Sequence, residues 1–291
     1  MKIVTLATCH NRREHTLAAL SDLHDQGLPA GTTISHVIVD DGSTDGTTEA
    51  VSEFFPAVEI VQGNGNLFWA GGMRHGWEQA IKNAEFDYLF VYNDDVRLEK
   101  FAISDLLKAA VSQTAPHIVV GSFLNEDGSS TVYGGRRRSS RWHPLKFAEI
   151  VEPDGTVQPA DTLNMNGALI SRWALDTAGF LSEYFVHSGA DFEYGLKLHK
   201  AGGKIVVAGK HIGYCDLNPD STLLPEHSEQ LGDSLKMLFD QKREPFGQRW
   251  NYYRRHGGWL WPLHWVAPYV TIWFRHLHKR VTRLYKEASP K

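Results

Sequence analysis

Two acidic turns and one late carboxylate are where this sequence can do chemistry. The segment VIVDDGSTDGT, residues 37–47, ends an apolar run on Asp40 and Asp41. Carboxylates there can accept hydrogen bonds from a ribose or a base. Helix capping by Ser43, Thr44 or Asp45 is the alternative, and it leaves the preceding pair unexplained. The segment YLFVYNDDV, residues 88–96, places Asn93, Asp94 and Asp95 at the end of a second apolar run. Oxygen donors at this spacing suit Mg²⁺ or Mn²⁺. Such an ion neutralises a diphosphate leaving group. A solvated acidic turn is the alternative. In YFVHSGADFEYGLKLHKAGGK, residues 184–204, Asp191 and Glu193 open an amphipathic helix. A carboxylate at a helix N-terminus keeps a low pKa and stays ionised. Asp191 can then take a proton from a hydroxyl, or simply cap its helix.

A glycine-rich segment, GNGNLFWAGGMRHG at residues 63–76, lies between a strand and a helix. Gly71 and Gly72 allow close backbone approach to a ligand. The helix N-terminus favours anions, and Arg74 is placed to pair with a phosphate. The first strand ends in TCHNRRE, residues 8–14. It carries no GxGxxG, so a nicotinamide or flavin site is disfavoured. Walker GxxxxGK[ST] and GxSxG motifs are absent from the sequence. Cys9 and His10 are adjacent on a strand and point to opposite faces, which argues against a nucleophile–base pair.

Alternating patterns must position these groups. Strands are expected at residues 3–8, 35–40, 58–62, 88–92, 118–122, 163–170 and 204–208. Helices are expected at 13–26, 47–55, 72–84, 100–112 and 191–201. Residues 124–161 hold looser, turn-rich strand-like runs. The alternation predicts an α/β fold with a mostly parallel central sheet covered on both faces. Such sheets bind ligands beyond the carboxyl ends of their strands.

The chain has 291 residues, 42% hydrophobic and 22% charged, which is globular composition. Net charge is −4, which gives no support to nucleic-acid binding. Two cysteines, Cys9 and Cys215, exclude a disulfide scaffold and a multi-cysteine zinc site, and they fit a reducing compartment. The first apolar run is too short for a secretion signal. The longest aromatic-apolar stretch, residues 259–274, is too short to span a bilayer. A cytoplasmic protein is the expectation.

The averages hide an asymmetry. The last fifty residues hold 11 Lys and Arg against Glu244 and Glu287, a net +9, and five of the nine tryptophans. The remainder is at −13. A boundary is therefore expected between a body, residues 1–241, and a basic, Trp-rich helical C-terminal extension, residues 242–291. Tryptophans beside basic residues suit an interfacial helix on anionic lipid. Packing on the body or in a homodimer is the alternative.

Over residues 2–213 the sequence resembles glycosyltransferase family 2, whose single-domain fold is GT-A. Thr8, Asn11 and Arg12 form a T-x-x-N-R like that family's opening loop. Asp40-Asp41-Gly-Ser-Thr-Asp resembles its nucleotide-binding turn. Asn66 to Arg74, with Gly71 and Gly72, resembles the N-x-G-x-x-G-G segment of polysaccharide rhamnosyltransferase-like members. Asn93-Asp94-Asp95 falls at the D-x-D metal motif, with Asn93 at its first acidic position. Asn164-Met-Asn166-Gly-Ala resembles the stretch lining the donor sugar. Asp191 falls in the E-D-x-D/E-x-x-x-R motif, in which Ala190 and Lys197 depart from the pattern.

The resemblance implies an inverting transfer from a nucleoside-diphosphate sugar to a glycan or lipid-linked glycan in surface polysaccharide synthesis, O-antigen included. Asp191 is the implied base. Thr8, Asn11, Arg12, Asp40, Asp41, Asn66, Gly71, Gly72, Arg74, Asp94 and Asn166 are the implied donor contacts. Asp95 and Asn93 are the implied ligands of Mg²⁺ or Mn²⁺, with His211, Cys215 or Asp216 as a third. dTDP-rhamnose is the first-choice donor; UDP-galactofuranose, UDP-glucose and UDP-galactose stay open. Two other readings are a sugar nucleotidyltransferase and a nucleotide-sugar or glycan-binding module without catalysis.

Overall fold

The computed structural model describes residues 1–83, 85–217, 231–240 and 245–288. The chain packs as two compact units, Met1–Ser139 with Phe147–Asp216, and Ser140–Lys146 with Leu217–Lys291. The compositional boundary between residues 241 and 242 lies outside the described residues.

The first unit opens with β1 (Lys2–Cys9), α1 (Arg13–His24), β2 (Thr33–Asp40), α2 (Thr47–Phe54), β3 (Glu59–Gln62), α3 (Phe68–Asn83) and β4 (Tyr88–Tyr92). Next come β5 (Arg97–Leu98), α4 (Ala102–Ala110), β6 (His117–Leu124), β7 (Thr131–Tyr133), β8 (Gly135–Arg137) and β9 (Glu149–Ile150). β10 (Gln158–Ala160), β11 (Thr162–Leu163), β12 (Gly167–Ser171), α5 (Arg172–Ala178), α6 (Ala190–Lys200) and β13 (Lys204–Tyr214) complete it.

The main sheet runs β10-β13-β6-β12-β4-β1-β2-β3. Strands β3, β2, β1 and β4 are mutually parallel, as are β6 and β13. β12 runs antiparallel between the two groups. A second sheet, β11-β8-β9, is wholly antiparallel. The expected mostly parallel sheet is therefore present, and its parallel strands deliver the two acidic turns and the β1 loop to one edge.

Alternation along the strands sorts the core into two layers. Ile3, Ala7 and Cys9 of β1 pack with Leu20 and Leu23 of α1, Val51 of α2 and Leu106 of α4. On the opposite face, Leu6 and Val39 come up against Gly76 of α3. Trp77 of α3, fully buried, meets the Tyr194 ring of α6 edge-on at 5.3 Å. Close approach of α3 to β1 depends on Gly72. A Cβ there would lie 2.3 Å from Thr8 Oγ1 and 2.9 Å from Thr8 Cβ.

Three differences from the sequence expectation have physical reasons. Helix α3 starts at Phe68 rather than at residue 72, because a carboxylate distant in sequence caps it. The strand expected at 163–170 is two strands in two sheets, β11 and β12, interrupted at residues 164–166. Helix α5 has no counterpart in the sequence pattern. It is seven residues long, too short to show a period, and Ser171 caps it by accepting from Ala174 N at 3.1 Å.

In the second unit, α7 (Leu231–Phe239), α8 (Phe246–His256) and α9 (Trp261–Ala288) are helical. Trp250 of α8 sits edge-on to Trp261 and Trp265 of α9, at 4.8 and 5.0 Å. His143 stacks on His264 at 4.1 Å. Among the described residues no helix is long and apolar enough to cross a membrane.

Gly72→Ala should lower unfolding stability by about 1–3 kcal/mol, since the added methyl overpacks the α3–β1 contact. A urea melt measures this. An unchanged midpoint would show that the contact is loose.

Candidate functional site

The β2 turn is built around two buried carboxylates. Asp40 Oδ1 accepts from Ser43 N at 2.8 Å, and its other oxygen accepts from the Thr48 hydroxyl. Asp41 reaches further. Its Oδ1 accepts from Gly65 N at 2.8 Å, and its Oδ2 from Leu67 N at 2.8 Å and Phe68 N at 3.0 Å. Asp41 thus takes up N–H groups at the α3 N-terminus, which otherwise lack partners. Its oxygens are occupied by backbone, so Asp41 positions the glycine-rich loop. Asn66 is exposed in that loop, and its N–H donates to Asn64 Oδ1 at 2.9 Å.

The β1 loop docks on this turn. Asn11 N donates to Ser43 Oγ at 2.9 Å, and Asn11 Oδ1 accepts from Thr44 N at 2.7 Å. Asn11 has φ 52° and Phe68 has φ 54°; among the described residues these are the non-glycine residues with positive φ. Both strained positions border the same site, as strain commonly does.

Arg12 crosses to the β4 turn. Its Nη1 lies 2.6 Å from Asp95 Oδ2 and 3.3 Å from Asp94 Oδ1. Burial pushes the Asp94 carboxyl up to about 7; Arg12 opposes that shift and Asp95 adds to it. Asp94 Oδ2 is buried without a hydrogen-bond partner. Asn93, expected as a metal ligand, differs. Its Oδ1 accepts from Trp69 Nε1 at 2.9 Å, so that oxygen is engaged by the first turn of α3.

Two expected contacts turn elsewhere. Arg74 Nη1 donates to the carbonyls of Ser182 and Phe185 at 3.1 and 2.8 Å, and so clamps α3 to that loop. His211 hydrogen-bonds Thr131 Oγ1 at 2.8 Å. Cys215 is the late residue beside the acidic pair. Its Sγ lies 3.8 Å from Asp95 Oδ1 and 3.8 Å from Asn166 Nδ2. Burial raises its thiol pKa, as it does for Cys9. Asp216 Oδ1 accepts from Glu126 N at 3.3 Å.

Residues 164–166 join the β4 turn to α6. The Asn166 carbonyl accepts from Asn93 N at 3.3 Å. The backbone of Met165 donates to the Asp191 carboxylate, as does Phe192 N, at 2.8 Å from Oδ1. The low pKa expected of Asp191 at a helix N-terminus is not found: burial pushes it up to about 6, against these N–H groups and the nearby Arg136. Arg136 is itself aimed by Asn164, whose Oδ1 accepts from its Nε at 2.9 Å. Sequence reasoning missed Arg136, which comes from β8 in the loosely patterned segment. It also missed the role of Glu193, which is buried and accepts from Ser182 Oγ and Tyr184 Oη.

The donor set suits a hard divalent cation. Mg²⁺ is commonly held by one or two carboxylates with substrate phosphates completing the shell. Asp94 and Asp95 supply two carboxylates, one with an unpartnered oxygen. Among the described residues no group of three or more His, Cys, Asp or Glu is placed to hold an ion without such help.

The profile of glycosyl transferase family 2 matches residues 6–165, more than half of the chain. No curated protein matches it. In fold the chain is similar to S. aureus TarS. The crystal structure of TarS 1–349 superposes with TM-score 0.57 at 15% identity, covering 99% of this chain and 92% of that one. TarS 1–349 in complex with UDP-GlcNAc gives 0.57 at 16%, covering 82% and 67%. The complex with UDP gives 0.54 at 18%, covering 76% and 62%. The chain matches 37% of the longer TarS crystal structure.

Asp41→Ala should cost about 1.5–3 kcal/mol, because three N–H groups lose a charged acceptor. Urea unfolding measures it, and an unchanged midpoint would mean that water replaces Asp41 without cost.

Proposed function

We propose, from the premise that this chain belongs to glycosyl transferase family 2 and is a glycosyltransferase, that it moves a sugar from a nucleoside diphosphate to an acceptor hydroxyl with inversion. The observation that carries this reading is the 164–166 segment. One short stretch of backbone touches Asn93, beside the acidic pair, and Asp191. A base and a diphosphate-handling turn thereby share one scaffold.

The chemistry follows from the residues. Asp191 accepts the proton of the acceptor hydroxyl. The hydroxyl oxygen attacks the anomeric carbon, and the bond from that carbon to the diphosphate breaks on the opposite side. Arg136 holds positive charge near Asp191 and keeps its carboxylate available as the ionised form. Asn11 and Arg12 fix the β1 loop beside the donor. Asp94 and Asp95 would hold a Mg²⁺ or Mn²⁺ ion, which when bound supplies charge neutralisation for the departing diphosphate. Arg12 is the protein's own cation at these two carboxylates.

The favoured donor is dTDP-rhamnose, on the resemblance of residues 66–74, and the favoured acceptor is a growing surface polysaccharide. The TarS complexes hold UDP and UDP-GlcNAc, so uridine donors are the competing set. Thermal-shift measurements with dTDP and UDP sugars, with Mn²⁺, Mg²⁺ or EDTA, separate them by mass action on the folded state. A metal-dependent rise with dTDP-rhamnose supports the reading. A rise with UDP sugars alone reassigns the donor, and no rise with any nucleotide overturns the donor site.

Asp191→Asn should reduce turnover at least about 100-fold while nucleotide binding persists. A variant with undiminished turnover would remove Asp191 from the mechanism. The base must be ionised, so kcat/KM should rise with pH through about 6 and fall about tenfold per unit below it. Because the folded-state pKa is raised, the ionised carboxylate opposes folding above that pH. Asp191→Asn should therefore keep or raise Tm at pH 8, a result that separates lost chemistry from lost structure.

A further inference from the structure

Helix α9 has two apolar faces, and its own unit covers one. Trp261, Trp265 and Tyr269 make ring contacts within that unit, and His276 hydrogen-bonds Ser234 at 3.0 Å. The opposite side carries Leu263, Val270, Trp273, Phe274, Leu277 and Val281, all exposed. Their spacing of i, i+7, i+10, i+11, i+14 and i+18 gathers them into a stripe about 100° wide. Trp273 and Phe274 are 56% and 58% exposed, and Trp259, just before the helix, is 84% exposed. Large aromatics left in water in a line mark an interaction surface.

Charge identifies the partner. Residues 261–288 contain five Lys and Arg and one acidic residue, Glu287. Arg280 borders one edge of the stripe at helical spacing and His278 the other, and both are exposed. Arg275 is exposed beyond the His278 edge. An apolar stripe with exposed tryptophan and flanking cations matches an acyl–headgroup boundary with anionic lipid above it. Among the described residues no helix is long and apolar enough to cross a membrane, and a one-sided apolar stripe suits a helix lying in the surface.

We propose that this face of α9 is a docking surface for an anionic lipid bilayer. The apolar side chains enter the acyl boundary, and the basic residues pair with phosphate headgroups. The surface belongs to the second unit and does not depend on the donor or the reaction assigned to the first.

Flotation of the 291-residue chain tests it, with vesicles of phosphatidylcholine alone and of phosphatidylcholine with phosphatidylglycerol. The protein should float with the anionic vesicles, less with the neutral ones, and less again at high salt. Trp273→Ser with Phe274→Ser should lower the partition roughly tenfold. Arg275→Gln with Arg280→Gln should weaken only the anionic component. These side chains are exposed, so circular dichroism should match the wild type. If the aromatic pair disturbs folding, Val270→Ser with Leu277→Ser replaces it. Failure of the wild type to float with anionic vesicles overturns the proposal, as does equal flotation of the apolar variants. A dimer by light scattering that the aromatic variant dissociates, without vesicle binding, assigns the stripe to a second copy of the chain.

Discussion

The first unit's site depends on which N–H groups one buried carboxylate accepts from. Asp41 leaves the end of β2 and takes three N–H groups from the loop after β3 and the start of α3. That fixes the first turn of α3. Trp69 in this turn then donates to Asn93, and the β4 turn is held from one side. Arg12 holds the same turn from the other side. A buried carboxylate costs free energy unless donors meet it, and the N–H groups of a helix start lack partners of their own. Their mutual satisfaction sets the distance between the sheet edge and the helix that lines it.

Two other carboxylates, Asp94 and Asp191, are pushed away from their ordinary range. Asp94 is pushed up by burial with one oxygen unpartnered. Asp191 is pushed up by burial while backbone N–H groups hold it down. Perturbed carboxylates gathered along one connected backbone path are a signature of a site rather than of a core. Arg136 and Arg12 stand beside the two groups, so positive charge is distributed along the path.

Much of this was legible in residue order. The strand–helix alternation fixes the parallel half of the sheet, because buried parallel strands read as unbroken apolar runs. Asp40, Asp41, Asn93 to Asp95 and Asp191 stand out because carboxylates at strand ends and helix starts are where a ligand has access. What stayed hidden is the direction of each side chain. Nothing in the spacing says that Asp41 reaches residues 65–68, that Arg74 turns to the 182–185 loop, or that Asn93 gives its oxygen to an indole. Arg136 was hidden for another reason. It rides on a three-residue strand, and short strands carry no readable period. Where His211, Cys215 and Asp216 fall depends on register shifts in β13, between Val207 and His211 and again before Gly213. Such irregularities leave no mark in the sequence.

The grip of Asp41 on the loop also bears on how the protein ages. Asn64 is followed by Gly65, the pairing most prone to spontaneous deamidation, because an unhindered backbone nitrogen can attack the preceding side-chain amide. Here that nitrogen's N–H is committed to Asp41 Oδ1 at 2.8 Å. The Asn64 side-chain oxygen is held by Asn66 N at 2.9 Å. Ring closure needs the Gly65 nitrogen to turn onto the Asn64 side-chain carbon, a rotation that its bond to Asp41 opposes. The carboxylate that shapes the loop thus also restrains the backbone nitrogen whose attack would turn residue 64 into an isoaspartate.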